Sequence, residues 1–128
     1  MPFVDFNELK GRVSIEEAVS REFVEETSLR VRSLSLAYVS ESIDPTIGYH
    51  VVNCTFFVEE IGGPGQPQSR DPAVVEVRFV PVAGVAELLE ADVLAIPVSA
   101  ALRGDLGRRY FSFRSEDVKV PFFNRTQA

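Results

Sequence analysis

The 128-residue chain has no tryptophan, and cysteine, histidine and methionine each occur once. A single cysteine, Cys54, excludes an internal disulfide; with Val51 and Val52 before it and Phe56 and Phe57 after it, it reads as a buried strand thiol. One histidine and one cysteine also exclude the usual zinc sites, which draw four ligands from those two residue types. No 18-residue apolar run and no signal-peptide pattern occurs, so a cytoplasmic chain without a membrane span is expected. Basic charge is scarce as well. Lys and Arg number 13 against 19 Asp and Glu, a net charge of −6, which argues against nonspecific nucleic-acid binding because that needs clustered cations. The natural partner of the surplus acid is a cation.

What is present is ordinary globular composition, 45% hydrophobic and 25% charged. At this length one domain with a substantial core is expected over residues 1–128. The most informative stretch runs from Ser14 to Leu29, SIEEAVSREFVEETSL. Ser14 followed three residues later by Glu17 is a capping-box signature, and neither Pro nor Gly occurs from Ile15 to Leu29, so the stretch predicts a helix. At roughly 100° per residue, Ile15, Val19, Glu22, Phe23 and Glu26 fall on one stripe, flanked by Ala18 and Glu25. Surface helices keep their acids opposite the apolar stripe, but here Glu22, Glu25 and Glu26 sit on or beside it. Glu25 and Glu26 also lie at the C-terminal end, where the helix dipole disfavours negative charge. Hard oxygen donors at i, i+3 and i+4 suit Mg2+ or Mn2+. The alternative is a solvated acidic end of a helix whose core face stops at Phe23.

The order Arg21-Glu22-Phe23-Val24-Glu25-Glu26-Thr27-Ser28-Leu29 resembles the second half of the Nudix box, R-E-U-x-E-E-x-G-U with U a bulky apolar residue. Ser28 stands where the family has Gly. In the first half, the family Gly falls on Asn7, the family Glu on Val13 and the Gly before it on Arg12. The resemblance implies an α/β fold, an α/β/α sandwich with a mixed sheet. It also implies metal-dependent hydrolysis of a nucleoside diphosphate linked to another moiety, with Mg2+ or Mn2+ held by Glu22, Glu25 and Glu26. Arg21, Glu25 and Glu26 take the catalytic roles, Arg21 orienting the carboxylates. The substitution at Val13 supports an alternative, a catalytically impaired Nudix-fold module that binds a nucleotide or a protein partner. Family members often carry one more acid just before a late strand; Asp71 and Glu76 are the candidates.

Along the chain, Val4 and Phe6 alternate with polar residues as in an edge strand, and Lys10-Gly11 reads as a turn. The family has two or three strands before its box, so this chain resembles a member lacking them, a fragment, or one whose sheet edge a second copy covers; a homodimer is the simplest cover. Val31 to Tyr38 reads as a strand, Ser40 to Gly48 as a loop and Tyr49 to Glu59 as a long, mostly buried strand. His50 enters that strand, more in the manner of a packed or surface residue than of a catalytic base. Ile61 to Pro72 is a Gly- and Pro-rich loop, and it lacks the Lys-Ser/Thr pair of a phosphate cradle. Ala73 to Pro81 reads as a strand. Short helices are expected over Gly84 to Glu90 and from Pro97 to Leu106, the latter with its proline in the first turn. Tyr110 to Phe113 suggests a strand and Val118 to Phe123 another. The aromatics interleaved with Arg108, Arg109 and Arg114 either stack on a base or pack on the core.

Overall fold

In the computed structural model, residues 13–63, 65–105 and 107–118 are described. The edge strand at Val4 and Phe6, the Lys10-Gly11 turn, Asn7 and Arg12 of the box, and most of the Val118–Phe123 strand lie outside them. The chain forms two compact units. The first takes Met1–Ser35 and Phe57–Phe79, the second Leu36–Phe56 and Val80–Ala128.

The first unit holds helix α1, Ile15–Thr27. It starts where the capping box placed it: Ser14 is extended and its side-chain oxygen accepts from the Glu17 N–H at 3.1 Å. Ala18 is the buried centre of its inner side; Ile15, Val19, Glu22, Phe23 and Glu26 are half-buried and Glu25 is exposed. The inward stripe is therefore real, and it does carry two glutamates. Leu29 and Val31, just after the helix, are buried with Ala18.

Strand β1 spans Arg30–Asp44 and β2 spans Tyr49–Gly62; β3 is Tyr110–Arg114. The sheet order is β2-β1-β3, with β1 and β3 parallel. The connection between β1 and β2, residues 45–48, is too short for anything but an antiparallel hairpin, so the sheet is mixed. Asp44 starts that turn, its Oδ1 accepting from the Thr46 hydroxyl at 2.6 Å and the Thr46 N–H at 3.2 Å, and Gly48 supplies the left-handed residue at φ 68°. The loop expected from Ser40 is strand down to Asp44. Its serines read as polar loop composition, yet Ser40, Ser42 and Asp44 are buried on the face that carries Tyr38. Burial on β1 changes phase between Ala37 and Tyr38, both buried, and this one-residue slip turns Glu41 to the open face.

Within the second unit β3 registers on β1 as Val39↔Tyr110, Glu41↔Ser112 and Ile43↔Arg114. Phe111 and Phe113 are buried, stacked at 6.4 Å between ring centroids, and Tyr38 meets Phe111 edge-on at 5.8 Å. Arg108 lies over the Phe111 ring at 4.5 Å. Phe111 and Phe113 thus serve the core, leaving Tyr110 exposed.

Two expectations are corrected. Ala73–Pro81 is not a strand; residues 74, 77 and 80 are half-buried and those between are exposed, a spacing of three rather than two. Its alternating sequence is strand-like, but a strand exists only where another supplies its ladder. Pro97 is the sixth residue of a helix, α3, running Asp92–Leu102, not a first-turn proline. Pro97 cannot bond the Val93 carbonyl one turn back, but its ring is fully buried, which offsets that loss. Between β2 and α3 come a 3-10 turn, Val82–Gly84, and α2, Val85–Leu88, where a short helix was expected. Gly104, at φ 74°, and the Asp105 N–H bonded to the Ala100 carbonyl at 3.0 Å end α3.

Candidate functional site

The second half of the box occupies the last two turns of α1, and the end of that helix is tied to a distant loop. A helix leaves its final four carbonyls without helical partners, and here most find one. The Ser28 N–H donates to the Val24 carbonyl at 2.8 Å; just ahead of these four, the Thr27 hydroxyl donates to the Phe23 carbonyl at 2.7 Å. The other partners come from the Gly- and Pro-rich loop. Gln68 N–H donates to the Thr27 carbonyl at 2.9 Å and Arg70 N–H to the Glu25 carbonyl at 3.1 Å, while the Ser28 hydroxyl donates to the Gln68 carbonyl at 2.5 Å. The loop is irregular, as its composition requires, but it is pinned along the helix end. Nothing in the local sequence signals that long-range contact.

Ser28 stands where the box has Gly, and it has φ 62°. It is the one non-glycine residue with positive φ among the described residues. The helix-to-strand reversal demands a left-handed residue, which explains why glycine suits the position. Gly63, just after β2, packs against the reversal: at φ 139°, a Cβ there would stand 3.2 Å from the Leu29 Cα and the Ser28 carbonyl oxygen.

Arg21 reaches two of the box glutamates. Its Nη2 is 3.8 Å from Glu22 Oε1 and its Nε is 3.9 Å from Glu25 Oε1, one turn on. Glu22 is held inward, 14% exposed, whereas Glu25 is 56% exposed. Glu26 is half-buried. Among the described residues no group of three or more His, Cys, Asp or Glu is placed to hold a metal ion. The roughly 100° step between neighbours sends Glu25 outward to Arg21 and keeps Glu26 on the half-buried side. Val13, at the position of the first-half glutamate, brings no carboxylate.

A family profile for the NUDIX domain matches residues 9–102. The chain belongs to the Nudix family. That match spans the box helix, both long strands and the helices after them, and the observed α/β architecture with a mixed sheet agrees with it. No curated protein matches the chain. Nudix proteins are hydrolases of diphosphate linkages that generally use divalent metals. The donor chemistry here fits such an ion, since carboxylates are the hard ligands it prefers. Among the described residues no helix is long and apolar enough to cross a membrane.

The two further acids are elsewhere engaged. Asp71 caps a turn, its Oδ1 accepting from the Ala73 N–H at 2.9 Å. Glu76 lies 3.7 Å from Arg78, both exposed. His50, read as a packed or surface residue, is exposed and joins a polar cluster on the open face of the second unit. Its Nε2 is 2.7 Å from Glu41 Oε2, while Glu41 Oε1 accepts from the Tyr110 hydroxyl and, at 3.1 Å, from Ser112. The Tyr110 hydroxyl, then His50, hold the Glu41 carboxyl below its ordinary value; the same bond raises the Tyr110 phenol. The sequence pattern carries no mark of this cluster, because only the β1–β3 register brings residue 41 to 110 and 112. Cys54 is a free, half-buried thiol on β2.

Proposed function

We propose that this Nudix protein hydrolyses the pyrophosphate bond of a nucleoside diphosphate linked to another moiety, with Mg2+ or Mn2+ as the required ion. The observation that carries this reading is the second half of the box on an intact helix, with Arg21 reaching both Glu22 and Glu25. Glu22, Glu25 and Glu26 would hold the ion, which when bound neutralises phosphate oxygens and lowers the pKa of a water. Arg21 restrains two of these carboxylates from the same helix, and the pinned loop at Gln68–Arg70 fixes the helix end on which Glu25 and Glu26 stand. The Glu25 and Glu26 charges oppose the helix dipole, a cost in stability that a cation offsets.

A second reading is favoured by Val13, which brings no carboxylate to the first-half position: a Nudix module that binds a nucleotide or a protein partner without turnover. One assay separates the two. Wild type, Glu25→Gln and Glu26→Gln are incubated with a panel of nucleoside diphosphate derivatives and Mg2+ or Mn2+, and product release is followed with and without chelator. Hydrolysis predicts chelator-sensitive turnover that falls in each variant by at least the roughly 10–100-fold that losing an outer-shell partner costs a metal site. Turnover equally fast in the variants rejects hydrolysis at this helix. Calorimetric nucleotide binding with neither metal nor turnover selects the second reading.

A further inference from the structure

The loop after β2 carries a cation to the end of the box helix. Arg70 is exposed, and its N–H donates to the Glu25 carbonyl at 3.1 Å, so its backbone is held beside the first of the paired glutamates. Gln68 is tied twice more, its N–H to the Thr27 carbonyl and its carbonyl to the Ser28 hydroxyl. These bonds fix where the Arg70 side chain starts, which lowers the ordering cost of any ligand it grips. The guanidinium itself is uncommitted. Arg21, Arg32 and Arg78 each pair with a glutamate, whereas Arg70 forms no ion pair among the described residues. Its neighbour Asp71 is engaged in a turn, accepting from the Ala73 N–H at 2.9 Å.

We infer, on the reading of the box helix as a diphosphate site, that Arg70 is a substrate-binding residue whose guanidinium holds phosphate oxygens that the metal ion does not neutralise. The charge count requires such a group. Glu22, Glu25 and Glu26 against Arg21 leave two negative charges, which one divalent ion cancels. A diphosphate then brings negative charges of its own, and the helix has no further cation to meet them. Arginine suits the task, because its planar fork of donors meets phosphate oxygens two at a time. The same loop has room for what the diphosphate is linked to. Residues 67–69 and 74–77 wall an open pocket of about 290 Å³, with Gln68, Ser69 and Glu76 as its polar groups. Arg70 stands in the chain between those two walls.

Calorimetry with methylene diphosphonate, a diphosphate analogue that cannot be hydrolysed, in the presence of Mg2+ reads this contact without turnover. Wild type is expected to bind it. Arg70→Gln is expected to bind roughly 10- to 100-fold more weakly, the worth of a hydrogen bond to a charged group. Arg70→Lys falls between, since lysine keeps the charge and loses the fork. Arg32→Gln, the same charge change at an exposed arginine paired with Glu59, is expected to bind as wild type. The loop's ties use backbone atoms and the Ser28 hydroxyl, so urea unfolding of the Arg70 variants is expected to match wild type. In the turnover assay the Arg70→Gln loss falls on KM rather than kcat. A wild type that binds no diphosphonate, equal binding by wild type and Arg70→Gln, or an equal loss in Arg32→Gln overturns the inference. Turnover with unchanged KM in Arg70→Gln removes Arg70 and leaves hydrolysis standing; Arg70-dependent binding without turnover keeps Arg70 and removes hydrolysis.

Discussion

Ser28 offers the sharpest test of the physical account of the box. Its left-handed backbone, φ 62°, costs a residue with a Cβ roughly 1–2 kcal/mol. Its hydroxyl bond to the Gln68 carbonyl returns about 1 kcal/mol. Ser28→Ala keeps the strained backbone and loses the bond, so it is destabilised by about that 1 kcal/mol. Ser28→Gly loses the bond but sheds the strain, less the roughly 0.5–1 kcal/mol of extra chain entropy that glycine gives up on folding. The glycine variant therefore exceeds the alanine variant by about 0.5–1 kcal/mol and lies close to wild type. Ser20, in the middle of α1, is the control with the opposite sign: there alanine exceeds glycine by about 1 kcal/mol. Urea unfolding reads both. With a slope of about 2 kcal/mol/M, the gap at position 28 is about 0.25–0.5 M in midpoint. An alanine variant at least as stable as the glycine variant at position 28 refutes the argument that the helix-to-strand reversal dictates this residue.

Neighbouring glycines are expected to differ sharply. Gly63→Ala forces a Cβ against the backbone of Leu29 and Ser28 in a conformation that disfavours side chains, costing about 1–3 kcal/mol, whereas Gly62→Ala meets only the movable end of Arg30; thermal unfolding of the two variants checks the order. The Glu41 cluster makes stability depend on pH. Because the folded carboxyl lies below its ordinary 4.5, its contribution is complete above that value and is lost as pH falls through the folded value. Tyr110, raised from 10.0, contributes below that pH and loses its share as pH rises through the folded value. Glu41→Gln is expected to flatten both limbs of a stability–pH curve measured in urea, and an unchanged curve counts against the cluster.

Local sequence determined the parts of this protein whose cause is local. Ser14 and Glu17 set where α1 begins, because a cap needs only one side chain and the next turn. The 100° step per residue placed Ala18, Phe23, Glu22 and Glu26 toward the inner side, and the order from Arg21 to Leu29 named the family. Asp44-Pro45 and Gly48 marked the hairpin turn, though its strand reached further than the serines suggested. Tertiary structure decided what depends on distant partners. Ser40 and Ser42 became strand because β3 supplies the ladder, and Val75–Phe79 did not, having no strand beside it among the described residues. The join of Gln68 and Arg70 to the helix end spans some forty residues, and the meeting of Glu41 with Tyr110 and Ser112 some seventy, so neither leaves a mark in periodicity. The three box glutamates show the boundary between the two. Their spacing around the helix set which of them face inward and which outward, but how deeply Glu22 is buried beside Arg21 while Glu25 stays open is decided by the folded chain.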